Sequence, residues 1–239
     1  SYSRVSLQML DGIMRLPPER PAGVDLLRPT RLAGAVELKD VAFAYPGARS
    51  GLSVPALKFQ PGERVAIIGA IGSGKSTLLR ILAGLYAPAQ GNVLFDRLDM
   101  SHIAEDVLRA NIGYLPQDYR LINGTLRDNV TLGLAYPGDD KLMAAAELTG
   151  LSRLIAGHPL GIDLPISEGG RGLSGGQRVL TGLTRLMLSQ PRLWLLDEPT
   201  ANLDVQTEAN VLAALQKHVA PNATMIMVTH KLQLLSLVS

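Results

Sequence analysis

The chain has 239 residues, 46% of them apolar, and its 23 Lys and Arg against 21 Asp and Glu leave a net charge of +2. That is apolar material enough for one packed domain with a small insertion, and a charge too even for a dedicated nucleic-acid binder, so no nucleic acid is expected as a partner. Cysteine is absent, which excludes disulfides, thiolate zinc sites and a cysteine nucleophile, and no run approaches the roughly 18 apolar residues of a membrane span, so this piece by itself reads as soluble.

In chain order, Leu10, Ile13 and Met14 fall at helical spacing until Pro17-Pro18 stops the pattern, as at the end of a helix arriving from elsewhere. Residues 16–30 are rich in proline and aperiodic, a semi-rigid linker, and the domain is expected over 31–239. VELKDVAFAY alternates at period two and predicts a strand ending at Pro46-Gly47, followed by strands at PALKF and at PGERVAIIG, hence an antiparallel β layer. VAIIG is continuously apolar, as expected of a central strand buried on both faces, and a Gly-rich turn leads from it into the helical pattern STLLRILAGL. From about 119 to 175 short helices are expected at TLRDNV, DDKLMAAAELTG (with Asp139 or Asp140 as N-cap) and LSRLIAG, an inserted helical subdomain. RLWLLD, TEANVLAALQKHV and ATMIMVTH then read as strand, helix and strand of a largely parallel sheet.

Residues 69–76 read GAIGSGKS, the GxxxxGK[ST] pattern between a buried strand and a helix. Gly69, Gly72 and Gly74 allow the backbone N–H groups of the loop, including those of Ala70, Ile71 and Ser73, to turn inward around a phosphate, and the helix beginning near Lys75 adds its positive end. Lys75 is expected to reach the β- and γ-phosphates, Ser76 to ligate Mg²⁺, and Thr77 to contact the α-phosphate. In RLWLLDEP the paired Asp197 and Glu198 end an apolar strand. Asp197 suits Mg²⁺ through water and Glu198 suits polarisation of an attacking water. LSGGQ at 173–177 opens another helix with a serine and two glycines, a second anion cradle in a chain that already has one. His230 follows an apolar strand, where a neutral imidazole can hold a γ-phosphate oxygen, Glu198 and water in line.

GAIGSGKS, LSGGQ, LWLLDE, ANLD and His230 stand in the order found in nucleotide-binding domains of ABC (ATP-binding cassette) proteins, which the chain resembles from about Val36 to His230. The resemblance implies an α/β fold: a P-loop NTPase core with a mixed, largely parallel sheet, an antiparallel β layer and the inserted helical subdomain. It implies an ATPase using ATP and Mg²⁺ as a head-to-tail homodimer, each nucleotide held between the phosphate loop of one subunit and LSGGQ of the other. On that likeness Ser174, Gly175, Gly176 and Gln177 bind the γ-phosphate in trans, Gln117 in YLPQD approaches Mg²⁺, Asp204 makes a contact across the dimer, and Tyr45 stacks on adenine. The linker and NGTLRDNV through SEGGRGLSGGQ look like exporter-type domains, most like the ATPase subunits of bacterial type I secretion systems, although SEGGRG departs from the usual acidic-Gly-Arg-Gly order. That narrower likeness implies a preceding transmembrane domain on the same chain, a periplasmic adaptor, an outer-membrane channel, an exported protein cargo, and a place on the cytoplasmic face of the bacterial inner membrane. It also implies that elements beyond Ser239 are missing. A soluble ABC-type ATPase is the alternative, predicting tandem cassettes or a coiled-coil insertion. A regulatory nucleotide binder would lack the carboxylate or the histidine, and a kinase leaves LSGGQ unexplained.

Overall fold

The computed structural model describes residues 25–238, so the expected helix end at Leu10, Ile13 and Met14 and the first part of the linker lie outside the described residues. Chain order is β1 (Val36–Phe43), β2 (Leu52–Phe59), β3 (Arg64–Ile67), α1 (Lys75–Leu82), β4 (Gln90–Phe95), β5 (Leu98–Asp99), α2 (Glu105–Asn111) and β6 (Ile112–Leu115). There follow β7 (Gly124–Thr125), α3 (Leu126–Val130), α4 (Asp139–Thr149), α5 (Ser152–Ala156), β8 (Pro165–Ile166), α6 (Gly175–Ser189), β9 (Leu193–Asp197), α7 (Val205–His218) and β10 (Thr224–Val228).

The antiparallel layer has the order β2-β1-β4-β5. Its alternation is legible in β1, where Val36, Leu38 and Val41 are buried while Lys39 and Asp40 face out. Register shifts between β1 and β4 at Lys39/Ala42, where Asp40 takes φ +50. A Cβ on Gly91 would stand 2.3 Å from the Asp40 carbonyl oxygen, so only glycine fits opposite the bulge. Pro55 is tolerated because β2 is an edge strand.

The second sheet is parallel, in the order β3-β10-β9-β6. Every residue of β9 and β10 is buried, and alternate side chains feed two cores. Leu193, Leu195, Ile226 and Val228 pack with α1 and the antiparallel layer. Trp194, Leu196, Met225 and Met227 pack with Leu142, Leu183 and Leu215 of α4, α6 and α7. Each fully buried Leu of this kind contributes about 1.5–3 kcal/mol, so the sheet is held on both faces. The expectation of a central VAIIG strand is corrected: β3 is half-buried and, among the described residues, pairs with β10 alone, because β9 and β10 take the central places. An apolar run fixes a strand but not its position in the sheet.

Between β6 and α6 the chain forms α3, α4, α5 and the β7–β8 pair. Thr125 and Asp128 make a reciprocal capping box at α3. At α4 the N-cap is Gly138, not Asp139 or Asp140, which fall in the first turn. The Asp139 carboxylate instead accepts hydrogen bonds from Tyr136 and Arg127, and the same guanidinium donates to Asp163 at 2.8 Å. Tyr136 and Arg127 hold the Asp139 carboxyl below the usual carboxylate range, and Arg127 does the same for Asp163. Leu142 and Ala146 of α4 share one core with Trp194 and Leu196 of the sheet.

Candidate nucleotide site at the carboxyl edge of the parallel sheet

Strand register assembles the site. Val228 pairs with both Ile67 and Asp197, and Leu115 pairs with Leu196, so β3, β10, β9 and β6 end together. The link continues one step beyond the strands, where Glu198 N–H donates to the Val228 carbonyl at 2.9 Å and Thr229 N–H to the Ile67 carbonyl at 3.3 Å. The phosphate loop, Asp197-Glu198, His230 and the segment carrying Gln117 therefore leave one edge of one sheet, the usual place for ligands in open α/β sheets.

The loop from Gly69 turns through Gly72 (φ +79) and Gly74 (φ +90) into α1. Gly74 is the N-cap and supplies no side-chain acceptor, and the first turn holds no acid. The N–H groups of Lys75, Ser76 and Thr77 therefore meet no capping side chain, which leaves the helix end to an anion. Lys75 Nζ donates to the carbonyls of Gly69 (2.7 Å) and Ala70 (2.6 Å) and to Ser73 Oγ (3.1 Å), so its charge lies across the loop mouth. Ile71 stands 93% exposed at the loop tip.

At the end of β9, Asp197 is 2% exposed, and Glu198 takes φ +49 with its side chain 9% exposed. Such a backbone is uncommon outside glycine and turns the Glu198 carboxylate out of the strand direction. His230 Nε2 stands 3.1 Å from Glu198 Oε1, though not aligned to donate to it. Asp197 Oδ1 and Glu198 Oε1 are buried and accept no hydrogen bond from the described residues. Two such carboxylate oxygens beside a ring of N–H donors fit a divalent cation and ordered water, whose bonds would satisfy them. Gln117 is exposed in the loop just past β6.

Tyr45 lies two residues beyond β1, with its hydroxyl 3.1 Å from Thr77 Oγ1 and accepting a hydrogen bond from Arg80 at 2.9 Å. Its ring meets Phe43 and Tyr86 edge-on, at centroid distances of 5.1 and 5.7 Å. An aromatic cluster thus sits directly on the helix that follows the phosphate loop. The hydroxyl contact with Tyr45 raises the Arg80 pKa. Arg80, Phe43 and Tyr86 escape sequence reading, although Arg80 follows Thr77 by one helical turn.

LSGGQ is built differently. Ser174 Oγ accepts from Gln177 N–H at 3.1 Å while Gln177 Oε1 accepts from Ser174 N–H at 2.9 Å, a capping box on α6. A Cβ on Gly176 would stand 2.9 Å from the Asn202 carbonyl oxygen, so the helix start packs against the segment leading to Asp204. Asp204 is the N-cap of α7, and the Thr207 N–H and hydroxyl hold its carboxyl below the usual range. Among the described residues no hydrogen bond or ion pair joins 174–177 to 69–77, so the two cradles do not meet within one chain by such contacts.

The profile of the ABC transporter family matches residues 52–201. The chain belongs to that family. It is an ABC-type ATPase domain with the P-loop NTPase fold. The chain is 36% identical over 203 residues to the uncharacterized ABC transporter ATP-binding protein YfiB of Bacillus subtilis, covering 84% of this chain and 35% of that protein. It is 35% identical over 229 residues to the cyclolysin secretion/processing ATP-binding protein CyaB of Bordetella pertussis (95% and 32%), and 37% identical over 199 residues to human ATP-binding cassette sub-family B member 6 (83% and 24%). Among solved structures, a bacterial Atm1-family ABC exporter with ATP bound superposes with a TM-score of 0.83 at 30% identity, over 97% of this chain and 41% of that one. The chain thus spans about a quarter to a third of the curated relatives it matches. Among the described residues no helix is long and apolar enough to cross a membrane.

Proposed function

We propose that the chain is the ATP-hydrolysing motor of a membrane exporter, working as a head-to-tail dimer with two sandwiched nucleotides. The observation that carries the reading is the meeting of Glu198, His230 and the phosphate loop at one sheet edge, with 3.1 Å between His230 Nε2 and Glu198 Oε1. Glu198 Oε1 accepts the proton of the attacking water, and its burial limits competing water. His230 steadies that carboxylate and a γ-phosphate oxygen. Lys75 leaves the loop carbonyls for the β- and γ-phosphates, and Tyr45 takes the base. Ser76, Asp197 and Gln117 would hold Mg²⁺, which when bound neutralises phosphate charge. Ser174, Gly175, Gly176 and Gln177 of a second copy close over the γ-phosphate, and Asp204 contacts the facing subunit. Loss of the γ-phosphate removes contacts to both copies and opens the dimer.

The cargo reading is protein export of the type I kind, through a transmembrane domain in the same protein, a periplasmic adaptor and an outer-membrane channel, at the cytoplasmic face of the bacterial inner membrane. It is supported by the similarity to the cyclolysin secretion protein along nearly the whole chain. Immunoblotting of fractionated cells tests the exporter reading: a membrane-bound band well above the mass of this chain is expected. A soluble band at or near that mass favours a separately encoded cassette or the soluble-ATPase alternative. For the cargo, deletion of the gene is expected to remove one or a few proteins from the culture medium. An unchanged set of secreted proteins overturns type I secretion while leaving the motor reading in place.

A further inference from the structure

Lys231 directly follows His230 and spans three elements. Its N–H donates to Thr229 Oγ1 at 3.0 Å, and its ammonium donates to the Thr200 carbonyl at 2.9 Å and to the Glu208 carboxylate. Thr200 closes the turn after Glu198, where Ala201 N–H donates to the Glu198 carbonyl at 3.2 Å. Glu208 sits one turn into α7, its N–H bonded to the carbonyl of the Asp204 N-cap at 2.8 Å. Lys231 thus ties the backbone after His230 to the backbone after Glu198 and to the helix that Asp204 caps. The pair is largely withdrawn from solvent, with side-chain exposures of 32% for Lys231 and 10% for Glu208. Burial pushes the Glu208 carboxyl up, but the Lys231 hydrogen bond, the Thr200 side chain and the Lys231 charge together hold it below its ordinary value.

We infer that Lys231 and Glu208 are positioning residues, setting the distance between His230 and Glu198 and coupling it to the Asp204 end of α7. This rests on Glu198 and His230 acting in ATP hydrolysis. His230 itself is 47% exposed in its side chain and makes no hydrogen bond to the described residues, so its place is set by the backbone on either side of it. One side is β10. The other is Lys231. A shift at either tether moves Nε2 relative to Oε1, and a misplacement of about 1 Å can cost on the order of 10²-fold in turnover while ground-state nucleotide binding, which uses the phosphate loop and Tyr45, stays the same.

The test compares the intact protein with Lys231→Met, Lys231→Arg, Glu208→Gln and the double variant Lys231→Met/Glu208→Leu. The measurements are steady-state kcat and KM for ATP, binding of a fluorescent ATP analogue, and melting temperature. The double variant matters because a lone buried charge can unfold a protein, whereas apolar replacement of both partners generally does not. It is expected to melt near wild type, bind the analogue within about twofold of wild type, and lose ten-fold or more in kcat, whereas Lys231→Arg, which keeps the charge and its donors, is expected to retain most of the rate. A double variant that folds and turns over at the wild-type rate overturns the inference alone. A rate loss matched by an equal loss of binding or by unfolding overturns it too, since the pair is then merely structural. A wild-type protein with no ATP hydrolysis instead overturns the motor reading on which the inference rests.

Discussion

Two helix N-termini in this molecule look alike in sequence and are built to opposite specifications. At α1 the cap is Gly74 in a left-handed conformation, with no side-chain acceptor, while Lys75 is held on loop carbonyls. At α6 the cap is Ser174, and Ser174 and Gln177 satisfy one another. The first leaves its N–H donors without a capping side chain, as an anion site requires. The second is partly satisfied, so what it has left to give is the Ser174 hydroxyl proton, the Gln177 side-chain amide, the N–H groups of Gly175 and Gly176 and the helix dipole. Glycines serve different ends in the two places: Gly74 supplies a φ of +90, and Gly176 supplies room for the Asn202 carbonyl. One cradle suits primary capture of a phosphate, the other a supplementary contact to a phosphate that a second chain already holds.

The largest expected effects lie on the open side. Glu198→Gln keeps shape and removes the base, so kcat is expected to fall about 10³-fold while ATP still binds; a variant hydrolysing at the normal rate removes Glu198 from that role. Lys75→Ala takes away a cation that makes charge-assisted bonds worth about 1.5–3 kcal/mol each, and about a hundred-fold loss of ATP affinity is expected in a fluorescence titration. Unaltered affinity would mean that α1 alone carries the phosphate.

A paired substitution separates the two cradles. Alanine at Gly74 is strained by φ and by Leu52 Cδ1 at 3.0 Å, whereas alanine at Gly176 meets the Asn202 carbonyl oxygen at 2.9 Å. Each is expected to cost about 1–3 kcal/mol of local stability. Their functional signatures should differ: Gly74→Ala weakens binding of ATP to isolated chains, while Gly176→Ala spares that binding and lowers turnover at every concentration tested. Equal loss of binding in both would mean that the two helix ends serve one nucleotide within one chain.

The open cradle and the acidic strand end are legible in the sequence because their chemistry is local: a cradle needs its glycines, lysine and serine within eight consecutive residues. Positions that depend on the sheet are not. β3 reads as central because Val65, Ala66 and Ile67 are apolar, yet pairing gives the centre to β9 and β10. β4 and β5 are not legible because Gln90, Gly91 and Asn92 are exposed and carry no alternation; β4 owes its strand character to pairing with β1, and β5 to pairing with β4. Asp139 loses the N-cap place to Gly138 because Arg127 and Tyr136 claim its carboxylate. The Lys231–Glu208 pair is likewise a tertiary fact, joining the segment after β10 to α7 across 23 positions.

The smallest expected effect is the most discriminating. Ser174→Ala removes the α6 cap, which costs about 1 kcal/mol and lowers the melting temperature by about 2–4 °C in a domain of this size. If Ser174 only caps, the melting shift is the whole effect, and turnover per chain at a temperature well below melting is unchanged at every concentration. If its hydroxyl also serves the phosphate of a second chain, turnover falls several-fold more than the fraction unfolded can explain. Wild-type specific activity then rises with protein concentration, while Ser174→Ala needs more protein to reach its lower plateau. Activity independent of dilution in both proteins would reduce LSGGQ to a well-capped helix start, and the second cradle would have no ligand.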